Sequence, residues 1–267
     1  MRYLGKVMRR LRIGPLLALL LVTALAGAGC GSDDNDSSSK GGGDLVVSAA
    51  ASLKTALTSY GEGFTQAKAQ FSFAASDELA AQIRKGAKPD VFASANTKLP
   101  DELFAEKLVE KPTVFASNRL VLAVPANSDK VRSLEDVAGD NVSVAIGAPS
   151  VPIGSYTRKV LARLGAAERE AILANVKTEE PDVTGISAKL QRGVADAGFI
   201  YVTDVAATNG RLKAIELSGA LQPRVAYGVA IVEGARNREA ARVFVDGLVK
   251  GAGADALREA GFKPAPR

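Results

Sequence analysis

The chain has 267 residues, 47% hydrophobic and 24% charged, enough apolar material to bury one large core or two modest ones. It contains no His, no Trp and a single Cys, which excludes His-based triads, His-ligated metals, intrachain disulfides and Cys-rich zinc or iron–sulfur sites. The net charge of +5 is a property of the leader: residues 1–29 hold five basic side chains (Arg2, Lys6, Arg9, Arg10 and Arg12) and no acid, and the remaining 29 basic residues balance 29 acidic ones. Nothing in that balance points to nucleic acid.

The first 29 residues read as a signal peptide. A basic start, Met1–Arg12, is followed by an apolar run over Ile13–Ala26 and then by Gly27-Ala28-Gly29-Cys30. The run of about 14 residues is short for a spanning helix of about 20 and suits a secretory h-region. A short membrane anchor is the alternative. Small residues precede the lone Cys, which resembles a bacterial lipoprotein signal with Cys30 as the lipidated residue. Gly27 stands where such signals usually carry an aliphatic side chain, and a secreted protein with an incidental Cys is the rival. Residues 30–43, rich in Gly, Ser and Asp, have no apolar side chain beyond Cys30 to bury and read as a disordered tether.

From Asp44 onward, strand and helix signals alternate. Leu45-Val46-Val47 reads as a strand, and Leu53, Leu57, Tyr60 and Phe64 share one helix face. Phe71–Phe73 alternates as a strand, Glu78–Lys85 as a helix with Gly86 as its stop, and Val91–Ala93 as a strand. Leu103, Phe104 and Leu108 suit a helix; Leu120–Val124, Val142–Ile146 and Gly198–Ile200 suit strands. Further helices are predicted at Tyr156–Leu164, Ser187–Arg192, Arg238–Val249 and Ala254–Ala260. This alternation predicts an α/β protein with mostly parallel sheets.

Parallel sheets bind ligands where strand ends meet helix starts, and helix N-termini favour anions. Five junctions fit: Val47–Leu53 with Ser52, Phe73–Ser76 with Ser76, Ile146–Tyr156, Glu180–Gly185, and Phe199–Tyr201. Singly, each has a plain explanation as a helix cap or a packed Tyr. Their number draws attention to anion binding.

Several segments, in order, resemble the molybdate-binding proteins of bacterial molybdate ABC transporters. They are Ala49-Ala50-Ala51-Ser52-Leu53, Phe73-Ala74-Ala75-Ser76 with Leu79–Ile83, Gly86–Ala95, Val151-Pro152-Ile153-Gly154-Ser155-Tyr156, Ile200–Asp204, Tyr227–Val232 and Gly261-Phe262. The resemblance implies a two-lobed periplasmic-binding-protein fold, each lobe a mostly parallel sheet flanked by helices, with the ligand in the inter-lobe cleft. It implies lobe 1 at residues 44–122 and 229–267 and lobe 2 at residues 123–228, with crossovers near Leu120–Val124 and Tyr227–Val232. The ligand donors it implies are the hydroxyls of Ser52, Ser76 and Tyr201 and the backbone N–H groups of Ile153 and Val183. Ile153 stands where the family often has Ala, and Asp77 and Glu78 where it usually has small or hydroxyl residues; both carboxylates are expected to face solvent in the helix's first turn.

The implied function is capture of molybdate by a monomeric, lipid-anchored extracytoplasmic protein for an ABC transporter permease, with no cofactor and no nucleic acid. Tungstate, nearly equal in size and charge, is the alternative ligand, and sulfate a more distant one. An enzyme finds no support in the sequence: Gly-x-Ser-x-Gly and P-loop patterns are absent. A surface interaction protein of the same fold, without a solute, would lack convergent donors in its cleft.

Overall fold

The computed structural model describes residues 43–266. The expected signal peptide (1–29), Cys30 and the expected tether up to residue 42 lie outside the described residues.

Two sheets organise the chain. The first has the order β11-β4-β10-β3-β1-β2 and is built from β1 (Leu45–Ala50), β2 (Ala69–Ala74), β3 (Val91–Ser94), β4 (Thr113–Asn118), β10 (Val225–Ile231) and β11 (Lys263–Pro264). The second has the order β7-β6-β8-β5-β9, from β5 (Leu120–Pro125), β6 (Val144–Gly147), β7 (Val176–Glu180), β8 (Ala197–Tyr201) and β9 (Leu212–Glu216). Central strands β3 and β8 are buried along their whole length, as near-continuous apolar runs require when both faces are covered. Edge strands β7 and β9 instead alternate between more and less buried residues.

Parallel pairing is less extensive than the alternation predicts. β1 pairs parallel with β2 and β3, and β6 with β7 and β8. The pairs β3–β10, β10–β4, β4–β11, β5–β8 and β5–β9 are antiparallel. The physical reason lies in the connections. A parallel neighbour needs a crossover that returns the chain to the same end of the same sheet, whereas β4 and β5 are separated by Arg119 alone and belong to different sheets.

The chain therefore passes from one sheet to the other at Arg119 and returns between Glu216 and Val225. Strand pairing moves both expected lobe limits. Leu120–Leu122 pair with β8 in the second sheet, and Val225–Gly228 pair with β4 in the first. An apolar run such as Leu120–Val124 carries no mark of which sheet will receive it.

The helices are α1 (Lys54–Glu62), α2 (Ser76–Arg84), α3 (Lys98–Ala105), α4 (Pro152–Leu161), α5 (Ala166–Ala174), α6 (Val183–Gln191), α7 (Val202–Ala206), α8 (Arg238–Lys250) and α9 (Ala252–Glu259). α2 ends as its sequence requires: Gly86 adopts φ +97°, a left-handed conformation that costs glycine little. α4 and α6 each begin about four residues before their apolar periodicity does, at Pro152 and Val183. Pro at the first helical position loses no intrahelical bond, and Asp182 caps α6. Strands β4, β7, β9, β10 and β11 and helices α5 and α7 have no counterpart among the predicted elements.

Aromatic edges join the two halves beside the crossovers. Tyr156 meets Tyr201 edge-on with ring centres 6.4 Å apart, Tyr201 meets Tyr227 at 5.9 Å, and Tyr227 meets Phe262 at 5.3 Å. Tyr201 comes from the second sheet and Tyr227 from the first. Such contacts are favourable by about 0.5–1.5 kcal/mol each beyond simple burial.

Candidate functional site

All five residues nominated from the sequence, Ser52, Ser76, Ile153, Val183 and Tyr201, line one small cavity between the halves. Its volume is about 20 Å3, far below the roughly 300–1,000 Å3 typical for drug-sized ligands. Ser52 and Ser76 come from the first half; Ile153, Val183 and Tyr201 come from the second.

Each is delivered by a strand end or a helix start. Ser52 lies in the single 3-10 turn Ala51–Leu53 between β1 and α1. Ser76 is the first residue of α2, and the extended Ala75 before it turns the chain into the helix. Ile153 follows Pro152 in the first turn of α4, and Val183 opens α6. N–H groups in a helix's first turn have no intrahelical acceptor and carry partial positive charge. The Asp182 carboxylate accepts the N–H of Gly185 (3.0 Å), the third helical residue of α6, which leaves the N–H of Val183 outside that bond.

Close backbone packing sets the position of Ile153. A Cβ on Gly154 would overlap the carbonyls of Ala148 and Gly147, so only glycine lets α4 start against the end of β6. The Ile153 side chain is buried, and its methyl packs where a Gly147 side chain would have stood.

Ser76 is 2% exposed, and its hydroxyl oxygen accepts the N–H of Ala95 (3.1 Å). A backbone N–H can only donate. The Ser76 hydrogen is therefore left to point elsewhere, and the residue lines the cavity. Ser52 Oγ lies 3.1 Å from the Tyr227 hydroxyl.

Tyr201, the last residue of β8, is 1% exposed, and its buried hydroxyl has no hydrogen-bond partner in the protein. Buried polar groups are seldom left unpaired, and this hydroxyl lines the cavity with its hydrogen free to donate. Burial first, then the neighbouring Tyr227, raises the Tyr201 phenol well above its ordinary pKa. It is thus a neutral donor.

No Lys or Arg lines the cavity, and its one charged lining residue is the capping Asp182. The donors are hydroxyls and helix-start N–H groups, a set suited to a small oxyanion without a buried counter-charge. Behind Tyr201, its own N–H donates to Asp204 Oδ2 (3.2 Å). Burial pushes the Asp204 carboxyl up to about 8, the Tyr201 N–H opposes the rise, and Asp182 adds to it.

Neither Asp77 nor Glu78 lines the cavity. Glu78 is exposed and accepts from Gln82 (3.2 Å), as expected of a solvent-facing acid. Asp77 departs from that expectation: it is half-buried, and its Oδ1 is enclosed without a hydrogen-bond partner. Its place in the first turn of α2 is one where the helix dipole favours an acid.

Sequence reasoning overlooks Asn118 and gives Tyr227 no role. Both are buried at the crossovers and hydrogen-bonded to each other. The available signal is a polar triplet, Ser117-Asn118-Arg119, interrupting an otherwise apolar stretch between Val114 and Val124.

The pattern of a known family, described as bacterial extracellular solute-binding protein, matches residues 45–263. The chain belongs to that family. It is therefore an extracytoplasmic solute-binding protein. A molybdate-binding protein from Mycobacterium tuberculosis is 35% identical over 255 residues, covering 91% of this chain and 95% of the relative. A molybdate-binding protein from Escherichia coli is 30% identical over 232 residues, covering 82% and 89%. The solved periplasmic molybdate-binding protein of Azotobacter vinelandii shares the fold with a TM-score of 0.75 at 21% identity, covering 84% of this chain and 100% of that one. This solute-binding protein thus has the two-lobed α/β architecture of its structural relatives.

Proposed function

We propose that this solute-binding protein captures molybdate outside the cytoplasm and delivers it to an ABC importer, through Ser52, Ser76, Ile153, Val183 and Tyr201. The observation that carries the reading is the cavity itself: five donors nominated from separate stretches of sequence line it together, and one of them, Tyr201, holds a buried hydroxyl without a protein partner. Molybdate is a small tetrahedral dianion whose oxygens need several convergent donors. The 35% identity to a molybdate-binding protein along nearly the whole chain supports the same ligand.

Titration calorimetry with molybdate, tungstate, sulfate and phosphate tests the proposal. Molybdate and tungstate should bind tightly and sulfate more weakly, because its shorter bonds cannot reach all the donors at once. Absence of molybdate binding, or a preference for phosphate, would refute it. Tungstate is the second ligand the same donors suit, since it matches molybdate in shape and charge.

The anchoring reading rests on the sequence. Cys30 follows an apolar run and small residues, and we infer that it is lipidated after removal of residues 1–29 and that residues 30–43 tether the binding body. Cys30→Ser should move the protein from the membrane fraction to the soluble one. Retention in the membrane would point to an uncleaved helix.

A further inference from the structure

Ser52 and Ser76 present hydroxyls to the same cavity, but different groups fix their directions. For Ser76 the backbone N–H of Ala95 occupies the oxygen. For Ser52 the direction is set by side chains at the crossovers, and it can be traced atom by atom.

The trace starts at Asn118, the last residue of β4, 6% exposed. Its Oδ1 accepts the N–H of Arg119 (2.8 Å). Because that N–H can only donate, the amide oxygen must face it, and Nδ2 must face the other way. Nδ2 donates to Thr203 Oγ1 (2.9 Å), on α7 in the second half, and to the Tyr227 hydroxyl oxygen (3.4 Å), on β10 in the first. Thr203 and Tyr227 are themselves buried.

The Tyr227 oxygen is thereby an acceptor toward Asn118, and its hydrogen needs an acceptor of its own. Ser52 Oγ, 3.1 Å away, is placed to supply it. Burial and the nearby Asp204 hold the Tyr227 phenol well above the ordinary tyrosine range, so the hydrogen stays in place at neutral pH. With its oxygen taken by Tyr227, Ser52 keeps its own hydrogen for the cavity it lines.

We propose that Asn118 and Tyr227 are positioning residues: a one-way hydrogen-bond relay, Asn118 to Tyr227 to Ser52, makes Ser52 a donor to the bound oxyanion. The proposal rests on the functional reading above. The reverse direction, with Ser52 donating to Tyr227, would turn a lone pair of Ser52 toward an anion. Asn118 also holds Thr203 of the second half, so the relay draws on both halves of the molecule.

A double-mutant cycle on molybdate binding separates this role from plain packing. Tyr227→Phe keeps the ring and removes the relay; alone it should weaken molybdate binding about tenfold, the cost of one hydrogen bond to a charged group at the low end of its range. In a Ser52→Ala background, where no hydroxyl is left to orient, Tyr227→Phe should cost less than about twofold. In a Ser76→Ala background it should again cost about tenfold, since Ala95 orients Ser76 independently. A second variant, Asn118→Asp, reverses the relay: its free oxygen would take the Tyr227 hydrogen, draw the Ser52 hydrogen toward Tyr227, and weaken binding by at least the same factor. Thermal unfolding of every variant identifies those that fold, and either Tyr227→Phe or Asn118→Asp alone suffices for the cycle.

Equal losses from Tyr227→Phe with and without Ser52, in a protein that binds molybdate, overturn the relay and leave the functional reading standing. The same holds if Asn118→Asp binds molybdate as the parent does. A parent protein that binds neither molybdate nor tungstate overturns the functional reading and the relay with it.

Discussion

The two halves of the cleft furnish the cavity in different currencies. On the proposed reading the first half contributes side-chain hydroxyls, Ser76, whose oxygen accepts the N–H of Ala95, and Ser52, 3.1 Å from the Tyr227 hydroxyl. On the same reading the second contributes backbone, at Ile153 and Val183, and one long phenol, Tyr201, whose buried hydroxyl lines the cavity. A side-chain donor is deleted by one atom's change, whereas a backbone donor survives any substitution that leaves the chain's path intact. The second half should therefore resist side-chain truncation and fail when its backbone is displaced.

The largest expected effect tests that failure. Gly154→Ala places a Cβ against the carbonyls of Ala148 and Gly147. It should push the start of α4 away from β6 and weaken molybdate binding by roughly a hundredfold or more, as if several donors were lost together. Calorimetry reads the loss. Affinity equal to the parent's would mean that the backbone of α4 does not hold the ligand.

Next come the hydroxyls. Ser52→Ala, Ser76→Ala and Tyr201→Phe should each cost about 1.5–3 kcal/mol of binding, or roughly ten- to a hundredfold. If all three together leave affinity undiminished, the ligand sits elsewhere.

The truncations Ile153→Ala and Val183→Ala sharpen the contrast. Both side chains are buried, so truncating Ile153 should lower folding stability by about 2–5 kcal/mol, with a smaller loss for Val183. Molybdate affinity of the folded fraction should change only a few-fold, because the N–H groups remain. Denaturant melts paired with titrations separate the two quantities. A hundredfold loss of affinity in either variant would shift the second half's contribution from backbone to side chain.

A separate effect, on stability and not on binding, concerns pH. The Asp204 carboxyl is pushed up to about 8 in the folded protein, while an unfolded Asp titrates near 4. Between those values the folded state binds the extra proton, so this group makes stability fall as pH rises from about 4 to about 8 and levels off above. Asp204→Asn should flatten that part of the profile. Urea melts at about pH 5 and pH 8 for both proteins would show it, and an unchanged difference between the two pH values would count against the assignment.

The sequence by itself determined the α/β class, because apolar runs and helical faces alternate with a period that local chemistry enforces. It also flagged the five junctions that hold the cavity residues, since a strand ends or a helix begins there and such junctions are written in short stretches of chain; the choice of Ile153 and Val183 within their junctions came from the family resemblance. Strands β7 and β9 were harder to read: their alternating Lys, Glu and Thr sit at sheet edges, where a strand needs only one apolar face. Tertiary structure alone decided that Leu120 joins the second sheet and Val225 the first, because pairing partners come from distant residues. It alone decided the relay, too. Asn118, Tyr227 and Ser52 are up to 175 positions apart, and a hydroxyl's direction depends on which distant atom occupies its lone pair.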